Sequence, residues 1–185
     1  MSKKCVFISG GARSGKSRFA QELAAGSGEK VLFVATAEAL DADMQMRIAS
    51  HQSQRPESWR ILEASTDVAG AIESEAGDCE IILLDCLTLL VSNVFFGDER
   101  GFSDTEIDVN EAESRVLGEV QAIIDLMGKS SVLFIIISNE VGLGIVPENR
   151  AARIYRDLLG KANQLVASHA DEVYFMVSGI PAKIK

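Results

Sequence analysis

The stretch CVFISGGARSGKS, residues 5–17, joins a short apolar run to a glycine-rich loop. From residue 10 onward it matches the pattern G-x-x-x-x-G-K-[ST] in full. In such a loop the glycines let backbone N–H groups close around phosphate oxygens, the lysine reaches the outer phosphates, and the hydroxyl can ligate Mg²⁺. The alternative is a turn that only connects a strand to a helix. The apolar run before the loop and the amphipathic segment after it favour a phosphate site, made of Gly10, Gly11, Ala12, Arg13, Ser14, Gly15, Lys16 and Ser17.

Further apolar runs with many β-branched residues follow the first one along the chain. The sequence predicts strands at 5–9, 31–35, 81–85, 132–138 and 173–178, with a shorter candidate at 59–62. Continuous apolar character, without alternation, is typical of strands buried on both faces of a parallel sheet. Helices are predicted between them at 16–26, 40–51, 67–76, 86–96, 105–127 and 148–168, with Pro147 in the first turn of the last. The fold expected is a three-layer α/β fold with a mostly parallel sheet, whose ligands gather beyond the carboxyl ends of the strands.

Composition limits the classes of partner. At 185 residues with 47% hydrophobic residues, we expect one domain, 1–185, with one sizeable core. A net charge of −9 argues against binding to nucleic acid or to an anionic membrane surface. No apolar run approaches the roughly 18 to 20 residues of a membrane span. The cysteines Cys5, Cys79 and Cys86 lack metal-type spacing, and buried thiols in a reducing cytosol account for them best. We therefore expect a cytoplasmic protein.

Polar residues at the ends of the predicted strands are candidate ligands of the phosphate site. Asp85 closes the run IILLD, where a carboxylate can hold Mg²⁺ or instead cap the following helix. The second strand ends at Thr36, Ala37 and Glu38, and the fifth ends before Asn139 and Glu140. Caps explain a Thr or an Asn well but explain a Glu less well, so Glu140 stays open as a site member.

His51, one of the two histidines in the chain, ends the predicted helix 40–51. Asp43, Arg47 and His51 lie at i, i+4 and i+8 on one face. A histidine at a helix C-terminus has an ordinary electrostatic explanation, because its partial positive charge complements the helix dipole. The alternative is a nucleophile, because neutral imidazole can attack a phosphoryl group and leave again once protonated. Spacing alone does not decide between the two.

Several strings taken together are more specific than the loop. The chain combines FISGGARSGKSRFAQELA, RIASHQSQRP, LLDCLTLLVSN, SNEVGLGIVPENRAARIYRDLLGKANQ and VSGIPAKIK. In this combination it resembles the bifunctional adenosylcobinamide kinase and adenosylcobinamide-phosphate guanylyltransferase family of cobalamin synthesis, over essentially the whole chain. The resemblance implies a RecA-like P-loop NTPase fold, ATP and GTP as substrates, Mg²⁺, a homotrimer, and adenosylcobinamide and its phosphate as partners.

The resemblance also implies roles for individual residues. In R-I-x-x-H-x-x-x-R-P the histidine is His51, which would carry GMP covalently, and Lys16 would serve the catalysis of both steps. Ser17 and Asp85 would hold the metal. Nucleotide contacts would come from Gly10 to Ser17 and from Thr36, Ala37, Glu38, Gln52, Ser53, Gln54, Arg55, Glu63 and Asp85. Where some relatives carry a second histidine, this chain has Ser50.

Two other functions compete with this reading. One is a single-activity P-loop kinase or guanylyltransferase, against which the intact loop and His51 argue. The other, of a different class, is a regulatory nucleotide-binding switch, for which no tail or added segment provides support. GTP labelled at its α-phosphate separates a guanylyltransferase that works through an intermediate, which retains the label, from a kinase or a switch; a kinase assay on His51→Ala separates the two activities.

Overall fold

The computed structural model describes residues 5–28, 30–37, 56–97 and 107–185. The predicted helix 40–51 lies outside the described residues. So do six of the candidate site residues, namely Glu38, His51, Gln52, Ser53, Gln54 and Arg55.

Strands and helices alternate through most of the chain, as the pattern of apolar runs predicts. The strands are β1 (Cys5–Gly10), β2 (Val31–Ala35), β3 (Arg60–Glu63), β4 (Ile81–Asp85), β5 (Leu133–Ile137), β6 (Glu172–Val177) and β7 (Ile180–Lys183). The helices of the described ranges are α1 (Lys16–Ser27), α2 (Val68–Glu75), α3 (Leu87–Phe96), α4 (Val109–Lys129) and α5 (Arg150–His169). The α/β class is confirmed.

The seven strands form one sheet in the order β3-β2-β4-β5-β1-β6-β7. Every neighbouring pair is parallel except β6 with β7. The carboxyl ends of the parallel strands therefore meet at one edge, where the loop after β1 also lies. Because β5 separates β1 from β4, the end of β4 lies two strand spacings from the loop, or about 10 Å.

Both faces of the sheet are covered, which explains the continuous apolar runs. Val6 and Ile8 belong to a core cluster with Ala20 and Ala24 of α1. Cys5 and Phe7 point to the other face, in a cluster with residues of α2, α3, α4 and α5. Alternate residues of one strand thus enter different cores, so the positions Cys5, Val6, Phe7 and Ile8 are all apolar. The predicted three-layer architecture is confirmed.

Two details of the prediction are wrong. Pro147 is not in the first turn of α5, because Asn149 caps that helix by accepting a hydrogen bond from the Ala152 N–H at 2.8 Å, and the helix begins at Arg150. Strand β7 was not predicted. Its sequence IPAK contains a proline and all four residues are exposed, so it lacks the apolar pattern of the other strands. As an edge strand it tolerates Pro181.

Candidate phosphate and nucleotide site

The loop after β1 is closed by its own backbone and by a lysine. Gly15 caps α1 in a left-handed conformation, and Arg13 also has a positive φ of 56°. Lys16, the first residue of α1, turns back into the loop, and its Nζ donates to Gly10 O at 2.9 Å and to Gly11 O at 2.6 Å. A third contact, at 3.4 Å, joins Nζ to the Ser14 hydroxyl. The ammonium therefore lies inside the ring of backbone that the motif provides for phosphate oxygens.

Residues at the end of β4 influence the pKa of Lys16. Burial lowers the pKa of Lys16, while neighbouring Cys86 and Asp85 act in the opposite direction. Burial also raises the pKa of the Cys86 thiol to about 12, so Cys86 is neutral near pH 7. The Asp85 carboxylate is near enough to Lys16 to favour the charged form of the lysine. The structure brings together the loop and the carboxylate that the sequence proposes as a metal ligand.

A hairpin from the far end of the chain supports the loop from the side opposite β4. The turn between β6 and β7 contains Gly179, whose N–H donates to Ser14 O at 2.9 Å. The approach is close, because a Cβ on Gly15 would lie 3.1 Å from the Gly179 Cα. Gly15 in the loop and Gly179 in the hairpin turn therefore allow the two segments to pack closely. Residues more than 160 positions apart in sequence thus hold the loop's shape, which no local pattern predicts.

Thr36 is fully buried and its hydroxyl is already engaged. It donates to Cys86 O at 2.7 Å and accepts from the Cys86 N–H at 2.9 Å. Its backbone N–H donates to Asp85 O at 3.2 Å. The threonine therefore fixes the turn that carries Asp85, whereas the sequence treated it as a direct nucleotide contact.

Asn93 of α3 is a positioning residue that sequence reasoning missed. Its Nδ2 donates to Thr36 O at 2.8 Å and to Ser65 O at 3.1 Å. One side chain thus joins the ends of β2 and β3. The available signal in the sequence was a polar residue within a predicted helix. Its role could be read only with knowledge of the helix orientation, which turns this residue toward two strand ends.

Glu63 lies at the same edge as the loop but farther along it. It is the last residue of β3, exposed, and opposite Ala35 of β2. Four strand spacings, or about 19 Å, separate β3 from β1. Among the described residues, Ala37 lies between these positions, two residues after β2, and is half-buried. The candidate site therefore extends from the loop toward β2 and β3.

Replacing Gly10 by alanine is expected to destabilise the protein by about 1–3 kcal/mol or more. Gly10 has a φ of 150°, and an added Cβ would lie 2.7 Å from the backbone oxygen of Met176. A backbone atom in β6 cannot give way as a flexible side chain can. Urea unfolding, followed by the fluorescence of buried Trp59, measures the change.

Gly11→Ala is the matched control for this prediction. A Cβ there meets nothing within 4 Å, so its free energy of unfolding should stay close to that of the parent protein. Equal losses in the two variants would show that the contact with β6 does not determine the loop's stability.

Comparisons with known proteins agree with the whole-chain resemblance. A family model described as CobU, cobinamide kinase / cobinamide phosphate guanyltransferase, matches residues 6–184. The bifunctional adenosylcobalamin biosynthesis protein CobU of Escherichia coli strain K12 is 41% identical over 181 residues, covering 97% of this chain and 99% of the relative. The Salmonella typhimurium CobU is 39% identical over 97% of this chain and 99% of the relative. The Pseudomonas aeruginosa protein CobP is 40% identical over 96% of this chain and 95% of the relative.

Among solved structures, the RadB recombinase aligns with 94% of this chain and 74% of its own, at a TM-score of 0.49 and 15% identity. Among the described helices, none combines the length and the apolarity needed to cross a lipid bilayer.

Proposed function

The chain belongs to the cobinamide kinase / cobinamide phosphate guanyltransferase family, and on this premise we propose that one site performs two successive reactions on a corrinoid. In the first, the terminal phosphoryl group of ATP or GTP passes to the aminopropanol hydroxyl of adenosylcobinamide. In the second, GTP delivers GMP to the resulting phosphate, which gives adenosylcobinamide-GDP and pyrophosphate. The observation that carries this proposal is the family match from residue 6 to residue 184, which includes the loop, Asp85 and the RIASHQSQRP string.

We assign the phosphate chemistry to the loop and to Lys16. The backbone of residues 10–15 and the first turn of α1 offer N–H groups to phosphate oxygens. Lys16 already lies among these groups and supplies positive charge. Such charge stabilises the transfer of a terminal phosphoryl group and also the departure of pyrophosphate. One site can thus serve both reactions.

The residues present fit a divalent cation. Ser17 is in the first turn of α1, and the Asp85 carboxylate is close enough to Lys16 to oppose the fall of its pKa. Ser17 and Asp85 would hold Mg²⁺, which when bound neutralises charge on the phosphates. Thr36 contributes by fixing the turn after Asp85.

We propose that His51 carries GMP between the two halves of the second reaction. An imidazole nitrogen attacks the α-phosphorus of GTP, the bond from that phosphorus to the bridging oxygen breaks, and pyrophosphate leaves. The phosphate of the corrinoid then attacks the same phosphorus and the P–N bond breaks. Guanine nucleotide contacts are assigned to Ala37, Glu38, Gln52, Ser53, Gln54, Arg55 and Glu63. Of these, Ala37 and Glu63 lie toward β2 and β3.

We also propose a cytoplasmic homotrimer, following the family resemblance. All three cysteines are free and buried, which suits a reducing compartment. Large apolar side chains stand exposed in the segment before α5 and in β7, among them Ile145 at 96% and Ile180 at 69%. Such exposure supports burial against another subunit.

Incubation with GTP labelled at the α-phosphate tests the proposed function. The protein is expected to retain label through denaturation, and the bond should be acid-labile and alkali-stable, as a phosphorus–nitrogen bond is. Adding adenosylcobinamide phosphate should transfer the label to the corrinoid in a chase. GTP labelled at the γ-phosphate, which leaves with pyrophosphate, is the control and should leave the protein unlabelled. A protein that transfers GMP without ever retaining label would exclude the covalent route, and one with neither activity would exclude the function.

A further inference from the structure

Residues 138–140 follow directly after β5 and run beside the phosphate loop. The Ser138 N–H donates to Ile8 O at 2.9 Å, and the Glu140 N–H donates to Gly10 O at 3.0 Å. Because β5 lies between β4 and β1, this segment emerges between Asp85 and the loop. Glu140 is thus bonded through its backbone to the first residue of the phosphate site.

A buried polar network fixes the residue before Glu140. The Asn139 N–H donates to the Thr88 hydroxyl at 2.6 Å, and Asn139 O accepts from Asn163 Nδ2 at 3.1 Å. The Ser138 hydroxyl donates to Asn163 Oδ1 at 2.6 Å. Ser138 and Thr88 are almost fully buried, so the network is shielded from water and rigid. The backbone that carries Glu140 is therefore held in position. Such fixing is required of a residue whose side chain must meet a reacting atom.

The Glu140 side chain faces an open cleft beside the loop. Its Oε1 accepts a hydrogen bond from the Gly142 N–H at 2.5 Å, which sets the orientation of the carboxylate. The cleft, of about 360 Å³, is lined by Gly11, Ala12, Arg13, Ser14, Glu140, Leu143, Phe175, Met176, Val177 and Ser178. Glu140 is the one carboxylate in this lining, and Arg13 is the one cation. In the lining of this one cleft, Glu140 is thus available as a proton acceptor and Arg13 as a phosphate-binding group.

The rest of the lining is mainly apolar and reaches the surface. Leu143 is 82% exposed and Val177 is 53% exposed, and both belong to the cleft. The volume cannot enclose a corrin macrocycle, but it admits a short arm that ends in an alcohol. The apolar residues at the rim of the cleft are suited to contact the body of a large corrinoid that remains outside the cleft. Ala37 and Glu63, the proposed guanine contacts among the described residues, lie on the other side of the loop, toward β2 and β3, so the cleft is available for the acceptor.

We propose that Glu140 is the general base of the kinase step and that the cleft receives the hydroxyl-bearing arm of the acceptor, an inference that rests on the proposed function. The alcohol oxygen bonds to the γ-phosphorus, its proton passes to the Glu140 carboxylate, and the bond from that phosphorus to the β–γ bridging oxygen breaks. The nucleoside diphosphate leaves with the electron pair. A positioned carboxylate serves this role in other phosphoryl transfers to hydroxyls. The guanylyl step needs no such base, because its acceptor is an ionised phosphate.

Glu140→Gln separates the two activities. The kcat for phosphorylation of adenosylcobinamide is expected to fall by about 10²–10⁴-fold, the usual contribution of a general base. Guanylyl transfer to synthetic adenosylcobinamide phosphate, and labelling by α-labelled GTP, should stay near the parent level. Glu148→Gln, an exposed glutamate before α5, is the matched control and should keep both activities.

A variant with full kinase activity, or one in which both activities fall equally, overturns the role of Glu140, since an equal fall means a general disturbance of the loop. Retained guanylyl transfer shows that the variant is folded. A parent protein without kinase activity at any pH would instead overturn the proposed function itself.

Discussion

Replacing Lys16 by alanine is expected to lower both the phosphorylation of adenosylcobinamide and the guanylylation of the protein, each by at least about 10²–10³-fold. Within the described part of the chain, Lys16 is the only buried cation. Its Nζ lies among the loop carbonyls where the motif binds phosphate. Both reactions develop negative charge on phosphate oxygens held by this loop, so one substitution affects both.

The loss should come from catalysis and not from unfolding. Gly10 O also accepts a hydrogen bond from the Glu140 N–H, and Gly11 O accepts one from the Ser14 N–H at 3.3 Å. Removal of Nζ therefore leaves neither buried carbonyl without a partner, and the larger cost of an unsatisfied group is avoided. The free energy of unfolding should change little while both activities collapse.

Arg18→Ala is the control for Lys16→Ala. Arg18 is two residues further along α1, where it forms an exposed ion pair with Glu22 at 3.4 Å. Exposed pairs of this kind contribute about 0–1 kcal/mol, so this variant should keep both activities and its stability. The measurements are initial rates of each half-reaction and urea unfolding of each variant. A Lys16→Ala protein that loses only one activity would show that the two reactions do not share the loop.

The parts of the fold that could be predicted from sequence are those whose cause is local. Strands β2 and β4 have the predicted bounds, because both faces of each are buried and every residue is apolar until a polar residue ends the run. The phosphate loop was recognised because its glycines and its lysine are contiguous. The end of β4 was recognised for the same reason, since Asp85 interrupts an apolar run.

The parts that could not be predicted depend on contacts between distant residues. Strand β7 exists because β6 offers it an edge, although its own residues are exposed. The role of Thr36 depends on Cys86, fifty positions away, and that of Asn93 depends on two strand ends. Glu140 was noticed at a strand end, but its cleft is formed in part by β6 and the hairpin turn. The spacing of residues along the chain does not show that these residues lie close together in space.

His51 shows a different limit of sequence reasoning. Spacing left it between a helix-end histidine and a nucleophile, and only the string R-I-x-x-H-x-x-x-R-P, within a family resemblance, favoured chemistry. His51 lies outside the described residues. Its role therefore remains a proposal that a substitution can test directly.

Replacing His51 by alanine is expected to abolish labelling by α-labelled GTP and to lower guanylyl transfer by roughly 10⁴-fold or more, the scale seen when a covalent nucleophile is removed. Phosphorylation of adenosylcobinamide should persist, because that step moves the γ-phosphoryl group directly to the alcohol and forms no bond to imidazole. Denaturing separation of the labelled protein and a separate kinase assay measure the two outcomes.

The other histidine of the chain provides the matched control. His169 ends α5, where its Nδ1 lies 2.9 Å from Leu165 O and 3.1 Å from the Ser168 hydroxyl, an arrangement that completes a helix terminus. His169→Ala should therefore retain the label and both activities. Label that disappears in His169→Ala but persists in His51→Ala would place the nucleophile at the wrong end of the chain for this scheme. Guanylyl transfer at the parent rate in unlabelled His51→Ala would mean that the corrinoid phosphate attacks GTP directly, so the imidazole would have no chemical role.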